Sequence, residues 1–201
     1  METIKLLYVD DNVDAYISQY LYEEYGCEGV KIEYLQRPFE AEDTYESLLS
    51  DKDVHSADII IIDSMLFENA NLSNQKLAGE EFEIILRKVF PFKEVIVVTQ
   101  NDIDEEYRVI KKFDTSSGGA SKDFFEKEWK PILDKAVERV KLCRRLLKRI
   151  EEKNYVEKYF FEELQQSLKG ESGYDKLTVA DVDRLIAAFE GVKREYDNKW
   201  L

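Results

Sequence analysis

The sequence predicts an α/β protein built on a parallel sheet, and three observations carry that prediction. Ala57-Asp58-Ile59-Ile60-Ile61-Ile62-Asp63 sets four consecutive isoleucines between polar ends. Such a run is too short for a helix and suits a central strand covered on both faces. Ile4-Lys5-Leu6-Leu7-Tyr8-Val9 and Glu94-Val95-Ile96-Val97-Val98 are strand-like too, and they finish in Asp10-Asp11 and in Thr99. Between such runs the apolar residues recur at helical spacing, the alternation expected of α/β architecture.

The elements follow in order. After Asp10-Asp11-Asn12, residues Val13, Tyr16, Ile17, Tyr20, Leu21 and Tyr25 mark a helix stopped by Gly26, a C-terminal cap. Val30 to Leu35 alternates strictly and reads as the second strand. Pro38 is predicted to start a helix through Phe39, Tyr45, Leu48 and Leu49, leading to the strand that ends in Asp63. The polar, Asn-rich stretch Glu68 to Ala78 reads as a loop. Gly79 to Phe90 resumes helix with Phe82, Ile85, Leu86 and Val89 on one face, and Pro91 ends it. Asp102 caps a short predicted helix carrying Ile103, Tyr107, Ile110 and Phe113. Thr115 to Lys122 reads as a small-residue strand or turn, and no strand is expected from Pro131 onward.

Composition bounds the function. The chain has 201 residues, 43 acidic against 29 basic, for a formal charge of −14. Non-specific binding to nucleic acid or an anionic membrane is not expected of such a molecule. No apolar stretch approaches the ~20 residues that span a bilayer, and no signal peptide is evident, so the expected location is cytoplasmic. Cys27 and Cys143 are isolated and read as small apolar residues, and His55, the single histidine, as a surface residue.

If the strands ending in Asp10, Asp63 and Thr99 are parallel neighbours, three carboxylates and a hydroxyl meet at one sheet edge, where open α/β sheets place their chemistry. Acids crowded in this way repel one another unless a cation neutralises them, and hard oxygen ligands suit Mg²⁺. A phosphate-binding Gly-rich loop is absent. A haloacid-dehalogenase phosphatase would need an aspartate where Met65 stands. A hydrolase on the same acids lacks a second general base.

Asp10-Asp11 after the first strand, Asp63 after the third, Thr99 after the fourth and Lys122 after the fifth resemble the receiver domain of bacterial two-component response regulators, over roughly residues 4–150. The resemblance implies a flavodoxin-like five-stranded parallel sheet of order 2-1-3-4-5. It implies that Asp63 is the phosphoacceptor, with Mg²⁺ held by Asp10, Asp11, Asp63 and the backbone carbonyl of Met65. Lys122 would pair with Asp63 and then with a phosphoryl oxygen, and Thr99 would give its hydroxyl to another, moving its loop as a switch. A histidine kinase or phosphotransfer protein is the implied donor, and the chain an acceptor rather than an enzyme. The sequence departs from the receiver pattern at Asp123, where proline is usual after the lysine, at Gly119, where an aromatic is common, and at Gln100, where a small residue follows the hydroxyl.

The expected organisation is a receiver core over 1–128, an extended fifth helix over 129–153, and a helical hairpin-like output or dimerisation extension over 154–201. Trp129, Leu133, Ala136, Val140, Cys143, Leu147 and Ile150 step by four and three as a heptad seam. Arg139, Lys141, Arg144, Arg145, Lys148 and Arg149 form a basic stretch without an acid. It reads as a solvated face or as a docking site for an acidic partner. Tyr155 to Leu168 predicts another helix, Gly170 to Gly173 a turn, and Thr178-Val179-Ala180-Asp181 the capping box of a last helix. No DNA-reading module is recognisable, so output through protein contacts or self-association is expected. The alternative is a pseudo-receiver scaffold that keeps the fold and is not phosphorylated.

Overall fold

Ile59–Asp63 (β3) is the middle strand of a five-stranded, all-parallel sheet of order β2-β1-β3-β4-β5 in the computed structural model of the chain, which describes residues 1–68, 77–101, 109–117, 119–153 and 158–169. The other strands are β1 (Glu2–Asp10), β2 (Val30–Pro38), β4 (Glu94–Thr99) and β5 (Val109–Lys111). Every residue of β3 is buried. The alternation of the pleat sends Ile59 and Ile61 to one face and Ile60 and Ile62 to the other, so both faces need a cover. Burying one such side chain stabilises the fold by about 2 kcal/mol.

One face is covered by α1 (Ala15–Gln19), continued by the π-helical turn Tyr20–Glu24, and by α6 (Lys130–Lys153). The other face lies under α2 (Tyr45–Leu49), α3 (Lys52–Ser56) and α4 (Gly79–Val89), through Leu48, Val54, Phe82 and Leu86. A short α5 (Ser121–Phe124) and the π-helical turn Phe125–Trp129 lead into α6, and α7 (Lys158–Lys169) packs against α6.

Two sequence expectations change. Pro38 ends β2 instead of opening a helix: it pairs with Asp10, and the next amide, Phe39 N, donates to the Asp10 carbonyl at 3.0 Å. A proline is tolerated there because β2 is an edge strand. The helix begins at Thr44, whose hydroxyl caps Ser47 N while the Ser47 hydroxyl accepts from Thr44 N. The fifth strand is Val109–Lys111 and not Thr115–Lys122. The β-branched pair Val109-Ile110 lies beside Val97 and Val98 and buries Ile110, whereas Thr115–Ser117 is a single 3-10 turn and Ser121 and Lys122 open α5. Apart from the Ala120 methyl, those small residues carry no apolar side chain that a sheet edge could bury.

The predicted heptad seam folds back on the sheet. Trp129, Leu133, Ala136, Val140 and Leu147 are buried in this chain's own core, and the Trp129 indole N–H donates to the Lys111 carbonyl at 2.9 Å. Two members of the basic stretch are spent on the sheet's amino-terminal edge. Arg139 pairs with Glu94 at 3.0 Å, and Arg144 reaches Glu2 at 2.8 Å, Asp58 at 2.7 Å and the Thr3 carbonyl at 2.9 Å. These arginines clamp α6 to β4 and to the starts of β1 and β3. His55 is half-buried, its ring against Phe90 and its Nε2 2.8 Å from the Leu49 carbonyl. Cys27 and Cys143 are free thiols. No described helix is long and apolar enough to cross a membrane. The Asn-rich loop around Asn69 to Asn74, the start of the helix predicted at Asp102, the turn at Gly170 and the last predicted helix lie outside the described residues.

Arg37, near the end of β2, ties the loop after β2 to α3. Its guanidinium forks onto Asp43 at 2.8 and 3.0 Å, and its Nε donates to Asp51 at 2.9 Å. Donation from Arg37 holds the Asp43 carboxyl below its ordinary value. At Asp51 burial pushes upward, but Arg37 and the amides of Asp53 and Val54 outweigh it and the carboxyl again sits low. A depressed carboxyl contributes stability that is complete above its unfolded value of about 4 and is lost as pH falls through the folded one. Arg37→Met should therefore cost about 2 kcal/mol at neutral pH. Its deficit relative to wild type, followed by urea unfolding, should shrink below about pH 4; a deficit constant with pH would contradict this account.

Candidate active site

Strand register alone assembles a site at the carboxyl ends of the strands. Val9 pairs with Ile62, so Asp10 emerges beside Asp63; Asp63 pairs with Val98, ahead of Thr99; and Thr99 pairs with Lys111, ahead of Lys112. Asp10, Asp63, Thr99 and Lys112 thus issue from one end of four adjacent strands or from the residue that follows.

The side chains converge on Lys112. Its ammonium lies 2.7 Å from Asp63 Oδ1 and 2.8 Å from Asp10 Oδ2, and all three groups are largely shielded from solvent. Its backbone amide donates to the Thr99 carbonyl at 2.7 Å, which fixes where the side chain starts. Burial works against the Lys112 charge, but the hydrogen bonds it donates to Asp10 and Asp63 outweigh it and the ammonium sits above its ordinary value. Asp63 is raised: burial is the main cause, with Asp10 adding to it and Lys112 opposing. Asp63 Oδ2 accepts from Met65 N at 2.9 Å, and Asp10 Oδ1 from Asn12 N at 2.8 Å. Asp10 Oδ2 also accepts from the hydroxyl of Tyr8, a fully buried side chain whose phenol burial holds far above its ordinary range.

Asp11 completes an acidic trio. One carboxylate oxygen each from Asp10, Asp11 and Asp63 lies within 4.8 Å of the others. Three hard oxygens at that spacing, with one lysine to set against three negative charges, fit a Mg²⁺ ion. The Met65 carbonyl, the fourth ligand expected from sequence, accepts from Glu68 N at 3.0 Å and keeps a second lone pair. Thr99 is buried, and its hydroxyl oxygen accepts from Asn101 N at 3.1 Å, which keeps its own proton available to donate. The site opens into a cleft of about 590 Å³ walled by Asn12, Tyr16, Met65, Glu68, Gln100 and Asn101.

Lys122 does not take part. It projects from α5 into solvent, 3.6 Å from Glu24, while Lys112 occupies the place assigned to it. The correction follows from the fifth strand: with β5 at Val109–Lys111, the first lysine past the sheet on the site's side is Lys112. The positions defined from Lys122 move with it, so Val109 stands three before the lysine and Phe113 after it, in place of Gly119 and Asp123. Lys111-Lys112 directly after Val109-Ile110 was the signal available in the sequence, and the helical spacing of Ile103, Tyr107, Ile110 and Phe113 masked it.

Gly79 is a second residue that sequence reasoning missed. Its N–H donates to the Ser64 carbonyl at 2.7 Å, and the Ser64 hydroxyl donates to Glu80 at 2.7 Å, so α4 begins against the backbone that presents Asp63. A Cβ on Gly79 would lie 2.4 Å from the Asp63 carbonyl oxygen and 2.8 Å from Ser64 Cα.

The chain matches no protein-family profile and no curated protein. Solved structures similar to it include a two-component transcriptional regulator AraC from Clostridium phytofermentans ISDg, at 14% identity and a TM-score of 0.41, covering 71% of this chain and 98% of that one. A second is the signal receiver domain of an HD domain-containing protein from Pseudomonas fluorescens Pf-5, at 16% and 0.40, covering 69% and 98%. A third is RcsB from Salmonella enterica serovar Typhimurium bound to promoter rprA in the presence of the phosphomimetic BeF3⁻, at 18% and 0.40, covering 90% and 91%. Overlaps of this size lend no argument about chemistry, which rests here on the site.

The close approach at Gly79 gives a prediction whose sign is diagnostic. In a free helix Gly→Ala stabilises by about 1 kcal/mol. Gly79→Ala should instead destabilise by about 2 kcal/mol or more, because backbone that carries Asp63 must move. An unchanged or raised melting temperature would show that this contact does not constrain the site.

Proposed function

We propose that the chain is a phosphoacceptor receiver in two-component-type signalling, with Asp63 as the phosphorylated residue. The observation that carries this reading is the single ammonium of Lys112 set 2.7 Å from Asp63 and 2.8 Å from Asp10 at the carboxyl edge of a 2-1-3-4-5 sheet.

The chemistry needs little beyond positioning. A carboxylate oxygen of Asp63 attacks the phosphorus of a phosphohistidine on a kinase or phosphotransfer protein; the P–N bond breaks, and the electron pair leaves on the imidazole, which takes up a proton. Asp10, Asp11, Asp63 and the Met65 carbonyl would hold Mg²⁺, which supplies charge neutralisation between carboxylate and phosphoryl oxygens. Lys112 moves from the Asp63 oxygen to an oxygen of the new acyl phosphate, still tethered to Asp10. Thr99 turns its hydroxyl proton to another, and the Thr99–Asn101 turn tightens around it. Gln100 and Asn101 stand at the cleft mouth, where they set how widely water and donor enter. In this reading residues 1–128 form the receiver, 129–153 carry its last helix onward, and 154–201 turn the change into protein contacts or self-association.

The scaffold reading also has an observation in its favour. Lys112 and Tyr8 donate to the buried carboxylates, contacts that serve the fold whether or not Asp63 takes up a phosphoryl group. Intact-protein mass after incubation with Mg²⁺ and phosphoramidate decides between them. The wild type should gain one phosphoryl group and Asp63→Asn none. No adduct on a wild type that binds Mg²⁺ would establish the scaffold.

A further inference from the structure

Tyr8 has a feature that its place in the core does not require. It stands on β1 in the face filled by Ile4, Leu6, Ile59 and Ile61, where a phenyl ring would fill the same space. Its side chain is fully buried, and its hydroxyl, the one polar group it adds to that apolar layer, reaches Asp10 Oδ2. The same oxygen accepts from Lys112 at 2.8 Å, whereas among the described residues Asp10 Oδ1 accepts only the amide of Asn12, at 2.8 Å. Two strong donors therefore crowd one oxygen of Asp10. The other is left with a lone pair.

We propose that Tyr8 is a positioning residue for divalent cation binding: by holding Oδ2 of Asp10 it fixes the carboxylate plane and presents Oδ1 to the ion shared with Asp11 and Asp63. The inference rests on the reading of those three aspartates as Mg²⁺ ligands. A carboxylate on a single bond can rotate, and each rotation that misplaces its oxygen lowers the population able to ligate. A buried hydroxyl at one oxygen removes that freedom before the ion arrives. Tyr8 touches neither the ion nor the phosphoryl group. Its effect should appear in cation affinity and not in the chemical step.

Calorimetric titration of the full chain with Mg²⁺, wild type beside Tyr8→Phe, tests this. Loss of an outer hydrogen bond of this kind should raise the Mg²⁺ dissociation constant about tenfold. Phosphoryl uptake from phosphoramidate by Tyr8→Phe should return to the wild-type rate at saturating Mg²⁺. Equal or tighter Mg²⁺ binding by Tyr8→Phe overturns the proposal, as does a rate defect that saturating Mg²⁺ leaves in place. Should Tyr8→Phe fail to fold, ring-labelled tyrosine in a Tyr16→Phe background gives a second reading, since Tyr16 lines the cleft and its signal is removed. One buried tyrosine Cζ resonance should move on adding Mg²⁺, and none moving would overturn the proposal. A wild type that binds Mg²⁺ with the expected Tyr8 dependence yet takes no phosphoryl group sinks the receiver reading alone.

Discussion

One buried ammonium between two buried carboxylates is the constraint on which the rest of this structure depends. Asp10 and Asp63 end neighbouring strands, and the parallel register of β1 and β3 brings them together. Two carboxylates at that distance in a shielded site would repel one another strongly enough to part the strands or protonate one of them. Lys112, delivered by β5 from the far side of β4, reaches both. Under the proposed receiver function, the same contact that lets the sheet close would also prepare Asp63 as an acceptor, because an ammonium on a carboxylate oxygen is already placed to meet the oxygens of an incoming phosphoryl group.

The surrounding elements serve that contact. Lys112 holds its place because its amide is tied to Thr99 and because the Trp129 indole pins the preceding carbonyl, that of Lys111. Asp63 holds its place because Gly79 lets α4 start against its backbone. At the opposite edge Arg139 and Arg144 bind α6 to β4 and to the starts of β1 and β3, which holds that helix against the sheet. The strands that α6 covers include β4, which ends in Thr99, and the indole of Trp129, which leads into α6, donates to the Lys111 carbonyl at the end of β5.

The parts of this arrangement that were legible in the sequence are those written as long, one-sided or two-sided apolar patterns. Four isoleucines ending in Asp63, and the strands ending in Asp10 and Thr99, placed three corners of the site correctly. The heptad seam announced α6, although only packing could show that it closes on this chain's own sheet. What escaped detection was short. β5 is three residues long and carries one buried side chain, so its signal was weaker than the helical spacing that overlaps it, and Lys122, after a run of small residues, looked like the end of a strand. Pro38 misled because a proline can open a helix or end an edge strand, and only pairing with Asp10 distinguishes the two. Gly79 acts through a contact across the sheet's end that no local pattern encodes, and Tyr8, two residues before Asp10 on the same strand, reads in the sequence as one more apolar member of β1.

The most direct measurement of the central claim is thermal unfolding of Lys112→Met beside Lys122→Met, each with and without Mg²⁺. If Lys112 is the counter-charge of the two aspartates, its removal should destabilise the fold by about 3 kcal/mol, the cost of leaving buried charge unpaired. Mg²⁺ should recover much of that loss, and Lys122→Met should match wild type under both conditions. A Lys112→Met protein as stable as wild type, or a loss confined to Lys122→Met, would contradict the account.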